Sequence, residues 1–161
     1  PMELNKSTRF ALYAAVEMAR HPGEAVSASQ IAERYQISEH HVAKVLQRLC
    51  HARIVRSIRG SGGGYVLARD PAGLTMFDIV ETFEIIPDGE GCVLRAPGET
   101  CGNLSLCRIR EVLHDIQSYM LRRFKTITIA TLAEGKENTA LRQESPIERG
   151  DAQASAKVKP R

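Results

Sequence analysis

The 161-residue sequence contains no apolar run near the roughly 18 residues that a membrane-spanning helix requires. Its first ten residues, PMELNKSTRF, also lack the apolar core of an export signal. These two absences predict a cytoplasmic protein with no membrane partner. The content of 43% hydrophobic and 25% charged residues is ordinary for a globular domain. The length favours one domain, with room for a small second lobe.

A nucleotide-binding loop is also absent. Such a loop is rich in glycine, follows a strand and opens a helix. The glycine-rich stretch of this chain, GSGGG at 60–64, lies instead between two β-rich runs. We therefore expect no redox enzyme or electron carrier.

Acidic residues are missing from the block 40–69, which carries six lysines and arginines. The net charge of the whole chain is only +3, so the basic charge is concentrated locally. An ordinary solvated surface mixes the two signs of charge. A block of one sign is typical of a surface that binds a polyanion, and it favours double-stranded DNA as the partner.

The first fifty residues predict a helix-turn-helix. A helix over about 5–20 ends at HPG, Ser27 opens a second helix with a capping box to Gln30, and Ser38 caps a third. In the third helix, apolar residues recur at the spacing of one buried stripe, opposite a polar and cationic face. The buried stripe contains Val42, Val45, Leu46 and Leu49, and the opposite face contains His40, Lys44, Gln47, Arg48 and His51.

A basic β-hairpin is predicted directly after the third helix, from β-rich runs at 54–59 and 65–68. A hairpin in this position is the wing of a winged-helix domain, and its glycines would let the backbone approach a ligand closely. We expect three kinds of DNA contact. His40, Lys44 and Gln47 would address base edges in the major groove, Arg59 would enter a minor groove, and Arg48, Arg53 and Arg56 would contact phosphates.

The second half predicts a helix capped by Thr75 and then a long amphipathic helix over about 105–125. Its apolar residues alternate in three- and four-residue steps, so we expect the helix to pair two copies of the chain rather than to complete the core. They are Ile109, Val112, Leu113, Ile116, Tyr119, Met120 and Phe124. A short turn capped by Thr128 follows.

The predicted fold is therefore mainly α with a small β wing. We expect a winged helix-turn-helix domain over 2–84, a cysteine loop over 85–104 and a dimerisation helix with a short terminal turn over 105–134. The polar segment 135–161 is expected to be disordered.

Three of the four cysteines fall within sixteen residues, at Cys92, Cys101 and Cys107. Three arrangements are open. Two of the cysteines could form a disulfide and leave a spare thiol as a switch, or the cysteines could bind zinc or an iron–sulfur cluster. No CxxC knuckle typical of structural zinc is present, and three thiolates suit an iron–sulfur cluster with one exchangeable position. Cys50, at the end of the third helix, is expected to act as a small hydrophobic residue.

In this order, the parts resemble a bacterial superfamily of winged-helix regulators that includes IscR, NsrR, RirA and CymR. The resemblance covers Met2 to about Glu134, and its specific part is the wing RGSGGGYVLAR followed by three cysteines. It implies a homodimer that binds an operator DNA. In the cysteine-bearing branch it also implies a cluster, 2Fe–2S or 4Fe–4S, held by Cys92, Cys101 and Cys107.

At the positions where that superfamily carries the fourth cluster ligand, this sequence has different residues. Arg110 stands where IscR-like proteins carry a histidine, and Arg9 stands where NsrR-like proteins offer an acid. Arginine stays protonated and does not ligate iron. His114, seven residues after Cys107, is the candidate fourth ligand of this chain.

The resemblance thus predicts a repressor whose operator affinity depends on a cluster that responds to nitric oxide, iron or cluster status, or oxidative stress. Two alternatives stay open. One is a cluster-free regulator with a thiol switch or a protein partner, as in the CymR branch. The other is a zinc-stapled interaction module.

Overall fold

The computed structural model describes residues 4–86 and 107–135. This part of the chain is mostly helical with one two-stranded antiparallel sheet, as predicted. The elements in chain order are α1 (Lys6–Arg20), α2 (Ala28–Tyr35), α3 (Glu39–His51), β1 (Val55–Ile58), β2 (Gly64–Leu67), α4 (Met76–Phe83), α5 (Arg108–Thr126) and α6 (Ile129–Glu134).

Side-chain caps fix several of these helix starts. The predicted capping box of α2 is present, because the Gln30 amide donates to Ser27 Oγ at 3.2 Å and the Ser27 amide donates to Gln30 Oε1 at 2.7 Å. Thr75 and Asp78 form a second capping box at the start of α4. Ser38 does occupy the N-cap of α3, but its side chain makes no capping hydrogen bond there.

The core lies between α1 and the helix-turn-helix formed by α2 and α3. The predicted stripe of α3 is buried, and its residues are Val42, Val45, Leu46 and Leu49. It packs in one apolar cluster with side chains of α1 and α2, including Ala15, Met18 and Ile31. Because one face of α3 is fixed inside the domain, its opposite face is directed to the outside.

A buried carboxylate joins α1 to α2. Glu17 is buried, and its Oε2 lies 2.9 Å from Nε of Arg34 and 3.5 Å from an Nη atom of Arg20. The Tyr35 hydroxyl donates to the same oxygen at 3.2 Å. Burial, together with the neighbouring Glu17 charge, raises the pKa of Tyr35. The carboxylate is thus paired and hydrogen-bonded, as a buried charge must be.

The wing is a short hairpin in which Val55 pairs with Leu67 and Ile58 with Gly64. Its second strand also bridges Val26, since the Val26 and Tyr65 amides each donate to the other residue's carbonyl at 2.9 Å. A Cβ atom on Gly64 would lie 2.7 Å from the Val26 carbonyl oxygen. The glycine run was expected to let the backbone approach a ligand closely. At Gly64 the close approach is instead to the backbone of Val26 in the same chain.

Helix α6 belongs to the core of the winged-helix domain. Ile129 is fully buried, and its amide donates to the Leu74 carbonyl at 2.8 Å. The Met76 amide donates to the Ile127 carbonyl at 2.8 Å, so two backbone bonds tie the chain before α4 to the chain around α6. Helix α6, which was expected to belong with the segment 105–134, thus packs on the core of the domain expected to end at 84.

Helix α5 packs beside α4, where the Lys125 ammonium lies 4.7 Å from the centre of the Phe77 ring. Much of its predicted apolar stripe is exposed: Ile109 by 61%, Val112 by 59% and Ile116 by 47%. No helix in the described ranges has the length and hydropathy to cross a membrane. Most of the segments predicted as a cysteine loop and as a disordered tail lies outside the described residues.

Candidate nucleic-acid interface

The outer face of α3 carries a row of exposed polar side chains opposite the buried stripe. The row consists of His40, Lys44, Gln47 and His51. Steps of four, three and four residues keep them on one side of the helix. His51 was part of the predicted polar face but not of the predicted DNA contacts, and its place in the row adds it to the candidate contacts.

These side chains suit the edges of base pairs. The Gln47 amide can donate and accept at once, and Lys44 supplies a cation with three donors. A helix of 13 residues is about 20 Å long and is narrow enough for the major groove, which is about 12 Å wide. In the described part of the chain, no hydrogen bond or ion pair engages Lys44 or Gln47. Both are therefore available to a ligand.

Three further arginines follow α3 and lie on the hairpin. Arg53 forms the turn from α3 into β1, with a left-handed backbone (φ 57°) and its amide donating to the Cys50 carbonyl at 3.0 Å. Arg56 lies in β1 and Arg59 directly before the hairpin tip, and all three side chains are exposed. Within the described residues their guanidinium groups make no hydrogen bond or ion pair. The exposed cations thus continue from α3 along the wing.

Arg48, which was predicted to contact phosphates, is exposed but has partners at the end of α4. Its guanidinium donates to the Thr82 carbonyl and lies 4.3 Å from the centre of the Phe83 ring. Both partners lie at the end of α4, where backbone carbonyls lack helical donors. Arg48 lies at the rim of the polar face and turns toward these two partners, and its contact with phosphate stays a prediction.

The end of α4 is also held by α1. Glu84 Oε1 accepts a hydrogen bond from the Thr8 hydroxyl and another from the Asn5 amide at 2.9 Å. The Asn5 side chain in turn donates to the Phe83 carbonyl at 3.2 Å. We call Asn5, Thr8, Arg48 and Glu84 the α4 junction. It connects α1 and α3 to the point where the chain enters the cysteine segment.

Of the three predicted metal ligands, Cys107 is the one that the structure describes. It is half-buried, forms no disulfide with a described residue and stands at the N-cap of the 19-residue helix α5. Cys92 and Cys101 lie outside the described residues. Among residues 4–86 and 107–135, no three His, Cys, Asp or Glu side chains are grouped to hold a metal ion.

Arg110 and His114, which follow Cys107 on α5, are relevant to the fourth ligand of the predicted cluster. His114 is exposed and lies about 10.5 Å further along the helix axis, two turns on. Arg110 is half-buried, and its Nε is buried without a hydrogen-bond partner among the described residues. A buried donor one turn from Cys107 calls for a hydrogen-bond acceptor at this place.

Cys50 differs from these residues, since it packs against the hydrophobic core. Burial raises the pKa of its thiol, so the neutral form is favoured at physiological pH. A thiol kept neutral is a poor nucleophile and a poor ligand. This environment agrees with the expectation that Cys50 acts as a small hydrophobic residue.

A helix-turn-helix with a basic hairpin beside its second helix defines a winged-helix DNA-binding protein. The Rrf2 family model, described as "Iron-dependent Transcriptional regulator", matches residues 4–135. The chain belongs to this family and is a transcriptional regulator. This result confirms the superfamily inferred from the resemblance, and it agrees with the expectation that the protein is not an enzyme.

Three similar proteins cover between 83% and 98% of the chain. BadM of Rhodopseudomonas palustris, whose name describes an HTH-type transcriptional regulator, is 36% identical over 157 residues, which are 98% of this chain and 95% of BadM. The structure of CymR, the global cysteine regulator of B. subtilis, matches with a TM-score of 0.69 and 27% identity, over 85% of this chain and all of CymR. IscR of T. potens shares the fold, with a TM-score of 0.64 and 24% identity over 83% of this chain and 87% of IscR.

Proposed function

We propose that this protein is a cytoplasmic, homodimeric repressor whose affinity for its operator is set by an iron–sulfur cluster. The observation that carries the DNA-binding part is the continuous exposed cationic surface of α3 and the wing. Its side chains are unpaired within the described residues, and no acidic residue occurs between 40 and 69. Such a surface is the electrostatic footprint of a DNA-binding domain.

The proposed DNA contacts fall into three groups according to their place on α3 and the wing. His40, Lys44 and Gln47 lie on the face of α3 that enters a major groove, where amide and cationic groups read base edges. Arg59, next to the hairpin tip, reaches a minor groove, where a narrow A·T tract concentrates negative potential. Arg53 and Arg56 contact phosphates and set the register.

Dimerisation is supported by the exposed apolar stripe of α5. Ile109, Val112 and Ile116 recur at steps of three and four residues, the spacing of a helix seam. Exposing three large aliphatic side chains on one helix face is costly unless another surface covers them. A second copy of α5 supplies a matching stripe, and two α3 helices then read an inverted repeat with half-sites one or more helical turns apart.

The cluster is assigned to Cys92, Cys101 and Cys107, with His114 as the candidate fourth ligand. Three cysteines without a CxxC knuckle suit iron–sulfur ligation, and the unsatisfied Nε of Arg110 offers a positive group to an anionic cluster. When bound, the cluster supplies iron that reacts with nitric oxide or oxygen or that is lost when iron is scarce. Cys107 and Arg110 would then hold the start of α5 in place.

The α4 junction provides the link to DNA. The cysteine segment follows α4 in the chain and precedes α5, so a change in its ligands would act on the end of α4 and the start of α5. Arg48 and Thr8 connect the end of α4 to α3 and α1. A local ligand change can therefore bias α3 between positions that fit or miss the operator.

A cluster-free regulator that uses a thiol switch or a protein partner is the second candidate. The likeness to CymR favours it, as does the presence of Arg9 and Arg110 where other members of the superfamily place a fourth ligand. Both candidates bind DNA with the same surface. They differ in whether iron and sulfide accompany the purified protein.

The DNA-binding part is tested with an operator selected from random duplexes and with fluorescence anisotropy. Gln47→Ala should weaken binding to the selected site by about 5- to 150-fold, the value of one good base contact, and change binding to random DNA little. Arg53→Ala should weaken both alike and lower the salt dependence by about one unit of slope. Arg122→Ala, on the exposed side of α5, is the matched control. Equal effects of Gln47→Ala and Arg122→Ala would contradict the assignment of α3.

A further inference from the structure

A cleft of about 450 Å³ lies along the wing, between the hairpin and the connection from α1 to α2. Its walls come from the end of α1, from both strands and from the chain after β2. The residues that characterise it are Met18, His21, Arg56, Ile58, Val66 and Arg69. The volume falls within the range of pockets that hold small molecules.

The lining combines apolar side chains with positively charged ones. Met18, Ile58 and Val66 supply apolar side chains, and Arg56 and Arg69 supply two permanent positive charges. Among the described residues, no aspartate or glutamate lines the cleft, although Asp78 behind it pairs with Arg69. The cleft therefore complements a molecule that has both a negative charge and an apolar body.

The two arginines are prepared for such a ligand in different ways. Arg69 is positioned by Asp78, whose Oδ1 lies 3.5 Å from its guanidinium and whose other oxygen accepts from the Thr75 amide at 2.8 Å. Arg56 makes no hydrogen bond or ion pair with a described residue, so its donors are free. A paired arginine and an unpaired one in the same lining both offer donors to a carboxylate.

We propose that this cleft binds a small organic carboxylate with an apolar body. The carboxylate contacts Arg56 and Arg69, and the apolar body covers Ile58 and Val66. A DNA phosphate is a poorer occupant, because it has no apolar part to cover these two side chains. This site shares Arg56 with the proposed phosphate contacts, but it does not depend on cluster control of operator binding.

The test is a titration of the full-length, ¹⁵N-labelled protein with octanoate, followed by amide chemical shifts. Octanamide, which has the same chain without the charge, is the matched control ligand. We expect octanoate to shift amides of residues 18–25, 56–58 and 66–69, and octanamide to bind at least about tenfold more weakly, the effect of one lost charge-assisted contact.

Arg56→Gln and Arg69→Gln should each weaken octanoate binding by about tenfold or more, while Arg122→Gln should leave it unchanged. Arg56 has no described partner to lose, so Arg56→Gln keeps the test valid even if Arg69→Gln disturbs the start of α4. The proposal is wrong if octanoate shifts none of these amides, if octanamide binds equally well, or if Arg56→Gln binds like the wild type. It is also wrong if a short duplex DNA shifts the amides lining the cleft and octanoate does not.

Discussion

Replacing Ile129 with alanine removes the one side chain of α6 that is completely buried. Ile129 is 0% exposed and packs in the same apolar cluster as residues of α1 and α3. The substitution deletes the side chain beyond Cβ and leaves a cavity, which costs about 2–5 kcal/mol in well-packed cores. We expect a value near 3 kcal/mol, because the backbone bonds around Leu74 and Ile127 restrict the collapse of the cavity.

The assay is urea unfolding followed by circular dichroism, at one protein concentration so that any dimer contributes equally. Ile85→Ala is the matched control, since it is the same change at a residue that is 88% exposed. It should alter the free energy of unfolding by no more than about 0.5 kcal/mol. If Ile129→Ala costs less than about 1 kcal/mol, or no more than Ile85→Ala, α6 is not part of the core.

Three further predictions concern the helix seam, the α4 junction and the buried carboxylate. An Ile116→Asp, Met120→Asp double variant should sediment as a folded monomer, whereas a stable dimer would mean that α5 packs elsewhere. Arg48→Gln should lower the free energy of unfolding by about 0.5–1.5 kcal/mol, the net value of a typical hydrogen bond, because this one is exposed. It should leave the salt dependence of DNA binding unchanged, unlike Arg53→Ala; a slope reduced by about one would restore Arg48 to the phosphate contacts. Glu17→Gln should cost about 1–3 kcal/mol in thermal unfolding, because two arginines lose their shared carboxylate, and a neutral result would refute that role.

The helix-turn-helix was predictable because its signals are local. The three- and four-residue spacing of Val42, Val45, Leu46 and Leu49 fixed the buried side of α3 and thereby its outer face. The capping box of Ser27 and Gln30 marked the start of α2. Both features depend on residues within two turns of one another, and a single sequence displays such patterns directly.

The positions of α6 and Arg48 were not predictable from local patterns. Helix α6 has only six residues, too few for a periodic stripe, and its contacts with Leu74 come from more than fifty residues away. Arg48 lies at the rim of the polar face, where an arginine resembles a DNA contact. Its partners, Thr82 and Phe83, are brought to it only by the tertiary fold.

The central claim, that a cluster held by the three clustered cysteines sets operator affinity, is tested by one comparison under anaerobic conditions. Iron, sulfide and operator affinity are measured for wild type and Cys101→Ala, before and after nitric oxide. The wild type should carry iron and sulfide and should change operator affinity at least about tenfold, or about 1.4 kcal/mol, on exposure. Cys101→Ala should be colourless, folded, dimeric and unresponsive. Full iron and sulfide in Cys101→Ala, or wild type with stoichiometric zinc and no visible absorption, would contradict the account.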